Sequence, residues 1–531
     1  MYSKGPTASE AQNTLLGHVK ELTANQAAVL NAPLTLEELT STVDSMADNS
    51  PGPDGRTLSF WKATWEDTGP MVLGLTKSIE STGTATGEML QGLIRLLPKG
   101  GNSHEPSDYR PITLLQLHYK IVTKLFANRW KQIASEYFSD VQIGFVPGRF
   151  IGDHIKLVLD TRDRWRFNRA QGAWLFLDFH KAYDRVEWPW LTKVLGAMGS
   201  GPRFTRWIKA LYSEHNKPTR QLILNEGWSE AFEIDRGTAQ GCPLSPFLYN
   251  VSVEAWLRAM RTDPHWTGLF LSEEVSAKVL AYADDMALGI GNEADVRRAE
   301  YWTQVFQEAS GARVNWGKSV LMAMGKWVDR HPDWQLPVGL RWQDEGFKYL
   351  GVLLGSRAEE RQQWRHILLK AVQKAKAMVL MGGPVWTRAN GFQSYVLSKF
   401  WYLARYREPP ADVVRQLVVL QSHVVWQNAV PDDLAVARRR AGWMTETAAA
   451  LPIKAGGLNV VNIRTKLQAI RAEWVVKLLS APKGLWAVLP SQALRESLPK
   501  MDRWPLVTHQ KDTKALVLKA LKALPAWREA A

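Results

Sequence analysis

KVLAYADDMALGIG, Lys278 to Gly291, sets two adjacent carboxylates between two apolar runs. Val279, Leu280, Ala281 and Ala283 precede Asp284-Asp285, and Met286, Ala287, Leu288 and Ile290 follow. Short apolar runs around two turn-tolerant residues predict a β-hairpin with the aspartates at its tip. Carboxylates side by side on a rigid tip suit hard divalent cations, which take oxygen ligands. An ordinary hairpin with an acidic turn fits this stretch equally well, so the decision rests on what else in the chain aims at it.

Working upstream, Ala173 to Phe179 (AWLFLDF) is an apolar run of buried-strand character with a carboxylate, Asp178, at its end. Glu187-Trp188-Pro189 opens a helix with Leu191, Val194, Leu195 and Met198 on one face, and Gly199 stops it. Arg220 to Asp235 reads as a hairpin around Asn225-Glu226-Gly227. A Gly/Pro/Gln loop, Gly237 to Pro246, follows, and Ser245 is expected to cap the next helix with Pro246 in its first turn. Downstream, Glu293 to Ala309 reads as a helix, Val314 to Lys318 and Val320 to Met324 as extended chain, and Lys348 to Gly355 as a compact strand pair or turn. This order predicts an antiparallel sheet backed by helices on one face, with the end of the Asp178 strand beside the Asp284 tip. Three carboxylates so placed would hold two divalent ions about 3.5–4 Å apart, one activating an attacking oxygen and one stabilising a leaving group.

Farther upstream, Leu93 to Lys99 and Tyr109 to Leu115 are short extended pieces around a polar loop, with Lys99 and Arg110 at its two ends. Two cations at such a mouth are either ordinary surface charges or a grip for a triphosphate. Residues 118 to 137 predict a helix with Ile121, Val122, Leu125, Phe126, Trp130 and Ile133 inward and Lys120, Lys124, Arg129 and Lys131 as its main charges. A second helix is expected from Asp153 to Phe167, and an amphipathic segment from Leu58 to Ile79 after the turn signal Pro51 to Gly55. Residues 1 to 50 carry no motif.

The chain has 531 residues, 45% of them hydrophobic and 22% charged, as expected of a folded protein with a full core. No apolar run approaches the roughly 18 residues that span a bilayer, and MYSKGPTASEAQ lacks the pattern of a signal peptide. With Cys242 as the only cysteine, intrachain disulfides and Cys-based zinc sites are excluded. An intracellular protein without a membrane partner is the expectation. The net charge of +14 is uneven: Ser356 to Ala531 holds 28 Lys and Arg against 12 Asp and Glu, whereas the preceding residues nearly balance. That excess predicts a polyanionic partner held through phosphates by a helical region (Trp364 to Met381, Phe392 to Arg405, Ala411 to Gln427, and a terminal helix from Thr513 to Leu524). Trp364, Trp386, Trp401, Tyr402 and Tyr406, interleaved with the charges, offer rings for stacking on bases or sugars.

Taken in order, PGPDG (51–55), LLPK (96–99), DYRPITLL (108–115), GFVPGR (144–149), FLDFHKAYDRV (176–186), GTAQGCPLSP (237–246), AYADD (281–285), NWGKS (315–319) and KYLGVLLG (348–355) form one series. With it, residues about 51 to 355 closely resemble the reverse transcriptase domain of non-LTR (LINE-type) retrotransposons. The resemblance implies an α+β right-hand polymerase: an N-terminal extension (1–50), fingers (51–170), an antiparallel-sheet palm with primer grip (171–355), a helical thumb (356–460) and a basic helical C-terminal region (461–531). It implies RNA-directed DNA synthesis with an RNA template, a DNA primer, the RNA–DNA hybrid and dNTPs as partners, and two Mg2+ ions, or Mn2+, as cofactors. By the same resemblance Asp178, Asp284 and Asp285 are the metal-binding and catalytic carboxylates. Tyr183 is the steric gate that rejects a 2′-hydroxyl, and Gln240 and Gly241 line the nascent base pair. Lys99 and Arg110 grip the triphosphate, Lys318 protonates the pyrophosphate, and Lys348 to Gly355 grips the primer. The nucleus is the compartment expected of the family. Departures are Ala239, where a basic residue is common, and the lack of length for an upstream endonuclease and of cysteines for a zinc knuckle; a polymerase segment of a retroelement reading frame, truncated or decayed, is the expectation. A non-catalytic, maturase-like RNA-binding protein and an RNA-templated RNA polymerase are the alternatives; the intact carboxylates speak against the first and Tyr183 against the second.

Overall fold

The strand ending at Asp178 occupies the interior of a four-stranded sheet, ordered Val320–Gly325, Gln171–Leu177, Asp285–Ile290, Val279–Tyr282, with every neighbouring pair antiparallel. The structure, a computed structural model, describes residues 8–497 apart from 100–104, 106–107, 169, 226 and 481–483. The expected terminal helix, Thr513 to Leu524, and the hairpin residue Glu226 lie outside the described residues.

Alternation along the strands assigns their side chains to two separate cores. Ala173, Leu175, Leu177, Met286, Leu288 and Ile290 face the first, shared with helices Trp188–Ala197, Ser245–Thr262 and Glu293–Ser310. Trp174, Phe176 and Ala287 face the second, built from helix Ile151–Asn168, the hairpin of Phe347–Tyr349 with Val352–Leu354, and helix Arg357–Met381. The sheet is thus covered on both faces, not on one as expected. The unbroken run AWLFL is the physical reason: a half-solvated strand alternates polar and apolar residues, and this one does not.

Thr219–Leu224 does not join that sheet. It lies parallel to Gly92–Pro98, with Gly92 opposite Arg220, and Gly92–Pro98 pairs antiparallel with Tyr109–Leu115. Arg220 secures the junction, its buried guanidinium donating to the Leu90 carbonyl at 2.6 Å. Two local expectations also change. Ser245 is the first helical residue, and Leu244 holds the cap position without a side-chain cap bond. Residues 316–318 form a turn before the strand Val320–Gly325.

Residues 8–45 form three helices, Ser9–Leu16, Ala24–Asn31 and Leu36–Ser45. With the chain that follows them to Ser50, they supply acceptors for two of the main charges on a later helix. Arg129 on helix Leu117–Tyr137 is buried, chelating Glu38 at 2.8 and 2.5 Å and donating to the carbonyls of Leu30, Ala32 and Pro33. Lys120, also buried, donates to the Ser50 carbonyl at 2.8 Å. A fixed guanidinium fork suits such multiple acceptors.

Among the described residues beyond Ser356 the regular elements are helical: Arg357–Met381, Val385–Gly391, Ser398–Ala404, Ala411–Gln427 and Ile463–Ser480 are the main ones. The expected helix Phe392 to Arg405 is interrupted, since Phe392–Val396 takes one wider π turn. Trp364 shares a buried stripe with Ile367, Leu368 and Ala371, and Tyr406 is buried as well, so neither ring offers a stacking surface. Tyr402 donates to the Leu350 carbonyl at 2.6 Å, while Trp386 keeps half of its surface exposed. Among the described residues no helix is long and apolar enough to cross a membrane.

Candidate active site

Pairing of Tyr282 with Asp285 leaves Ala283 and Asp284 as a two-residue hairpin turn. Ala283 has φ of 53°, the only positive φ in the turn, a conformation for which glycine is the usual choice. A non-glycine residue held there costs about 1–3 kcal/mol, which the surroundings must offset. Residues 141–144 lie along the free edge of Val279–Tyr282: Ala281 donates to the Val141 carbonyl and Ile143 to the Ala281 carbonyl, both at 2.9 Å. From that segment Gln142 Oε1 accepts the Ala283 N–H at 3.0 Å and the Gly144 N–H at 2.9 Å.

Asp178 follows the central strand directly, and the pairing of Leu177 with Met286 brings it to the end of the sheet that bears the turn. Its N–H donates to Ser319 Oγ at 3.1 Å and its carbonyl accepts from Asn315 N at 2.8 Å. All three carboxyls are pushed above the usual carboxylate range. For Asp284 the causes are burial and the charge of Asp178. For Asp285, pushed up to about 6, they are burial, then Asp284, then Asp178. Burial raises Asp178, against Lys318, Lys99 and His180. Arg110 acts in the opposite direction on both Asp284 and Asp285. The carboxylates share one field, with Lys99 and Lys318 toward Asp178 and Arg110 toward the pair. Among the described residues, however, no group of three His, Cys, Asp or Glu side chains is arranged to hold a metal ion.

The remaining site residues stand around this cleft. Lys99 and Arg110 sit on the two arms of one hairpin, where Pro98 pairs with Tyr109 and Lys99 N donates to the Asp108 carbonyl at 2.8 Å. Tyr183 stacks on Tyr249 with ring centres 4.6 Å apart, and its phenol is raised by burial and by Asp284, Tyr282 and Asp285. The 237–241 loop is tied to the short helical turn Tyr183–Arg185 and the residue after it, Gly237 N donating to the Val186 carbonyl and Thr238 N to the Tyr183 carbonyl at 2.8 and 2.9 Å. Gln240 accepts from Thr113 N at 2.7 Å through its carbonyl, while its Nε2 donates to Asp184 Oδ1 at 3.3 Å. Gly241 has φ of 132°, and a Cβ on it would meet the Thr113 carbonyl oxygen at 2.3 Å, so this close approach requires glycine. Lys318 is exposed on its turn. Lys348 stands apart, in a cationic group with Lys370 and Lys399 around His366, which partial burial and those three ammonium groups hold below the usual histidine value.

Sequence reasoning missed three members of this neighbourhood. Asp184 is buried, pushed up to about 6 by burial, and holds Gln240. Tyr249 backs the Tyr183 ring. Gln142, fully buried, lies two residues before GFVPGR. A polar residue between Val141 and Ile143 carries no pattern that would have singled it out; only the partner 141 positions away does so.

Comparison with known proteins adds a family. Residues 97–354 match the model described as reverse transcriptase (RNA-dependent DNA polymerase). The chain is 30% identical over 516 residues, 93% of its length, to the Transposon TX1 uncharacterized 149 kDa protein of Xenopus laevis, of which it covers 37%. It is 25% identical over 335 residues to the retrovirus-related Pol polyprotein from type-1 retrotransposable element R2 of Popillia japonica, covering 61% of this chain and 45% of that one. A third relative is the probable RNA-directed DNA polymerase from transposon BS of Drosophila melanogaster, 26% identical over 203 residues, 37% of this chain and 21% of that one. The chain spans less than half the length of each of these relatives.

Proposed function

Residues 97–354 are a reverse transcriptase domain of the non-LTR retrotransposon kind, and from that premise we propose that the chain extends a primer 3′-hydroxyl with dNTPs on an RNA template. The observation that carries this reading is the convergence of Asp178, Asp284 and Asp285 at one end of a sheet, with Lys99 and Arg110 set against them.

The donor set suits hard cations: it is all oxygen, and its carboxyls are raised by burial and, for Asp284 and Asp285, by neighbouring carboxylates, a cost that a bound cation would relieve. Asp178, Asp284 and Asp285 would hold two Mg2+ ions, with Mn2+ as a substitute. Such ions supply charge neutralisation at the phosphates and a more acidic 3′-hydroxyl. The chain's own groups do the rest. Lys99 and Arg110 take the triphosphate oxygens and keep the α-phosphate in line with the primer. The Tyr183 ring, stiffened by Tyr249 behind it, fills the space a 2′-hydroxyl would need. Gln240 and Gly241 flank the nascent pair, with the Gln240 amide oriented by Asp184. Lys318, exposed beside Asp178, delivers a proton to the departing pyrophosphate. On this reading residues 1–50 are the N-terminal extension, 51–170 the fingers, 171–355 the palm with primer grip, and 356–460 the thumb that follows the hybrid backbone. Residues 461–531 form a basic C-terminal region, and the nucleus is the place of action.

Primer extension on an RNA template of mixed sequence, with Mg2+ and all four dNTPs, tests the proposal. Full-length DNA complementary to the template is expected. Incorporation that ignores template sequence, or none at all, would refute it.

A further inference from the structure

Asp284 and Asp285 ride on a turn whose backbone is not at rest, and the means of holding it is a single side chain. Ala283 takes a left-handed conformation without being glycine. Its N–H has one acceptor, Gln142 Oε1 at 3.0 Å, and that oxygen also takes the Gly144 N–H at 2.9 Å. Two N–H groups converging on one amide oxygen fix the orientation of the carboxamide, since a reversed amide would set donor against donor. Gln142 is fully buried and its Nε2 has no partner among the described residues, so the hydrogen bonds that hold this amide are those of its oxygen.

The segment that presents Gln142 is braced on every side. Arg149 donates to the carbonyls of Ser135 at 2.9 Å, Phe138 at 2.8 Å and Gln142 itself at 2.5 Å, and also to that of Ser139. Glu254 accepts the Ser139 N–H at 2.8 Å, and Asn250 donates to the Gly144 carbonyl at 2.8 Å. Gly144 permits the contact: a Cβ there would stand 2.4 Å from Ala283 N.

We infer that Gln142 is a positioning residue, whose amide oxygen holds the Ala283–Asp284 turn in its left-handed form and thereby sets where the two carboxylates stand. The inference rests on the polymerase reading for its consequence and on geometry alone for its cause, and the two can be tested apart. Q142M keeps the length of the side chain and removes the acceptor, whereas Q142E keeps the acceptor. Hydrogen exchange across residues 279–290, measured without metal, reads the cause: faster exchange is expected in Q142M and near-native exchange in Q142E. Primer extension reads the consequence. Q142M should lose about 10²-fold in kcat, the scale of an ångström of misplacement at a reacting centre. It should also need more Mg2+ for half-maximal rate, at unchanged affinity for primer–template. Adding A283G, which takes the left-handed form unaided, should restore part of the loss. G144A, pushing on the same turn through a different atom, supplies the test should Q142M fail to fold, and should show the same pattern of exchange and Mg2+ demand. Native exchange and activity within about twofold of wild type in Q142M, or in G144A where that variant stands in, would overturn the inference. A wild type that does not extend primers would overturn the polymerase reading and leave the exchange result to decide on Gln142.

Discussion

The residues proposed to function are held in opposite ways in two regions of this molecule. Around the Asp284 tip, each residue is held by directed hydrogen bonds from other segments: Asp178 by Ser319 and Asn315, Gln240 by Thr113 and Asp184, the turn by Gln142. In the other region Lys348, from the hairpin before Ser356, gathers with Lys370 and Lys399 of the helices after it around His366, on exposed or half-exposed surfaces. Chemistry at a phosphate demands placement to a fraction of an ångström, while a grip on a sugar-phosphate backbone demands only charge of the right sign and spacing. Changes in the first region should therefore alter rate and those in the second affinity.

The largest expected effect is at the sheet. D178N should lower incorporation on the order of 10³-fold while leaving primer–template affinity within about twofold, measured by single-turnover extension beside a binding titration; a matching loss of affinity would break the contrast. Next comes Tyr183, the proposed gate. Y183A should cut discrimination against ribonucleotides by about 10–100-fold, read as the ratio of kcat/KM for dNTP and rNTP, with little change in primer–template binding. In the helical region K370A combined with K399A should leave kcat for dNTP intact. The pair should weaken binding and reduce the slope of log affinity against log salt by about 1 for each phosphate contact removed. A fall in kcat with unchanged salt slope would place those lysines with the chemistry instead.

The smallest effect concerns the brace behind the tip. Burial pushes Glu254 up to about 7, against the pull of Arg258 and the Ser139 hydrogen bonds. Its folded value thus lies above the ordinary 4.5, and between those two pH values the folded chain holds a proton that the unfolded chain has released. Stability from this group is complete below the lower value and lost as pH rises through the upper one. E254Q cannot titrate, so the fall in Tm between pH 5.5 and pH 8 should be smaller in the variant than in wild type by a few degrees. An identical pH dependence would remove Glu254 from the account.

The same contrast separates what the sequence discloses from what it conceals. The hairpin, the Asp178 strand and the Gln-Gly loop are legible because a turn, a buried strand and a close approach each restrict residue type locally. The strand pair around Leu350 and Gly351 is visible for the same reason. Helix Leu117–Tyr137 is legible by period, yet Arg129 and Lys120 are not solvated, because their acceptors lie in residues 30–50 and no local pattern announces a partner so distant. Thr219–Leu224 pairs parallel to a strand more than a hundred residues earlier, and short apolar runs do not reveal which sheet they join. Trp364 turned inward because helical period outweighs the basic residues beside it, and Tyr406 is buried in the turn after Ala404, where no periodicity applies. Gln142 is the plainest case: its importance lies in an oxygen aimed at a turn 141 positions away.

The central claim is that the carboxylates of two separate strands form one catalytic site for RNA-templated DNA synthesis. Single-turnover extension of a DNA primer on a defined RNA template, with Mg2+, comparing wild type and D284A at saturating primer–template, tests it most directly. The account predicts template-complementary DNA from wild type, a loss on the order of 10³-fold in D284A and equal occupancy of primer–template by both. Equal extension by the two proteins would contradict it.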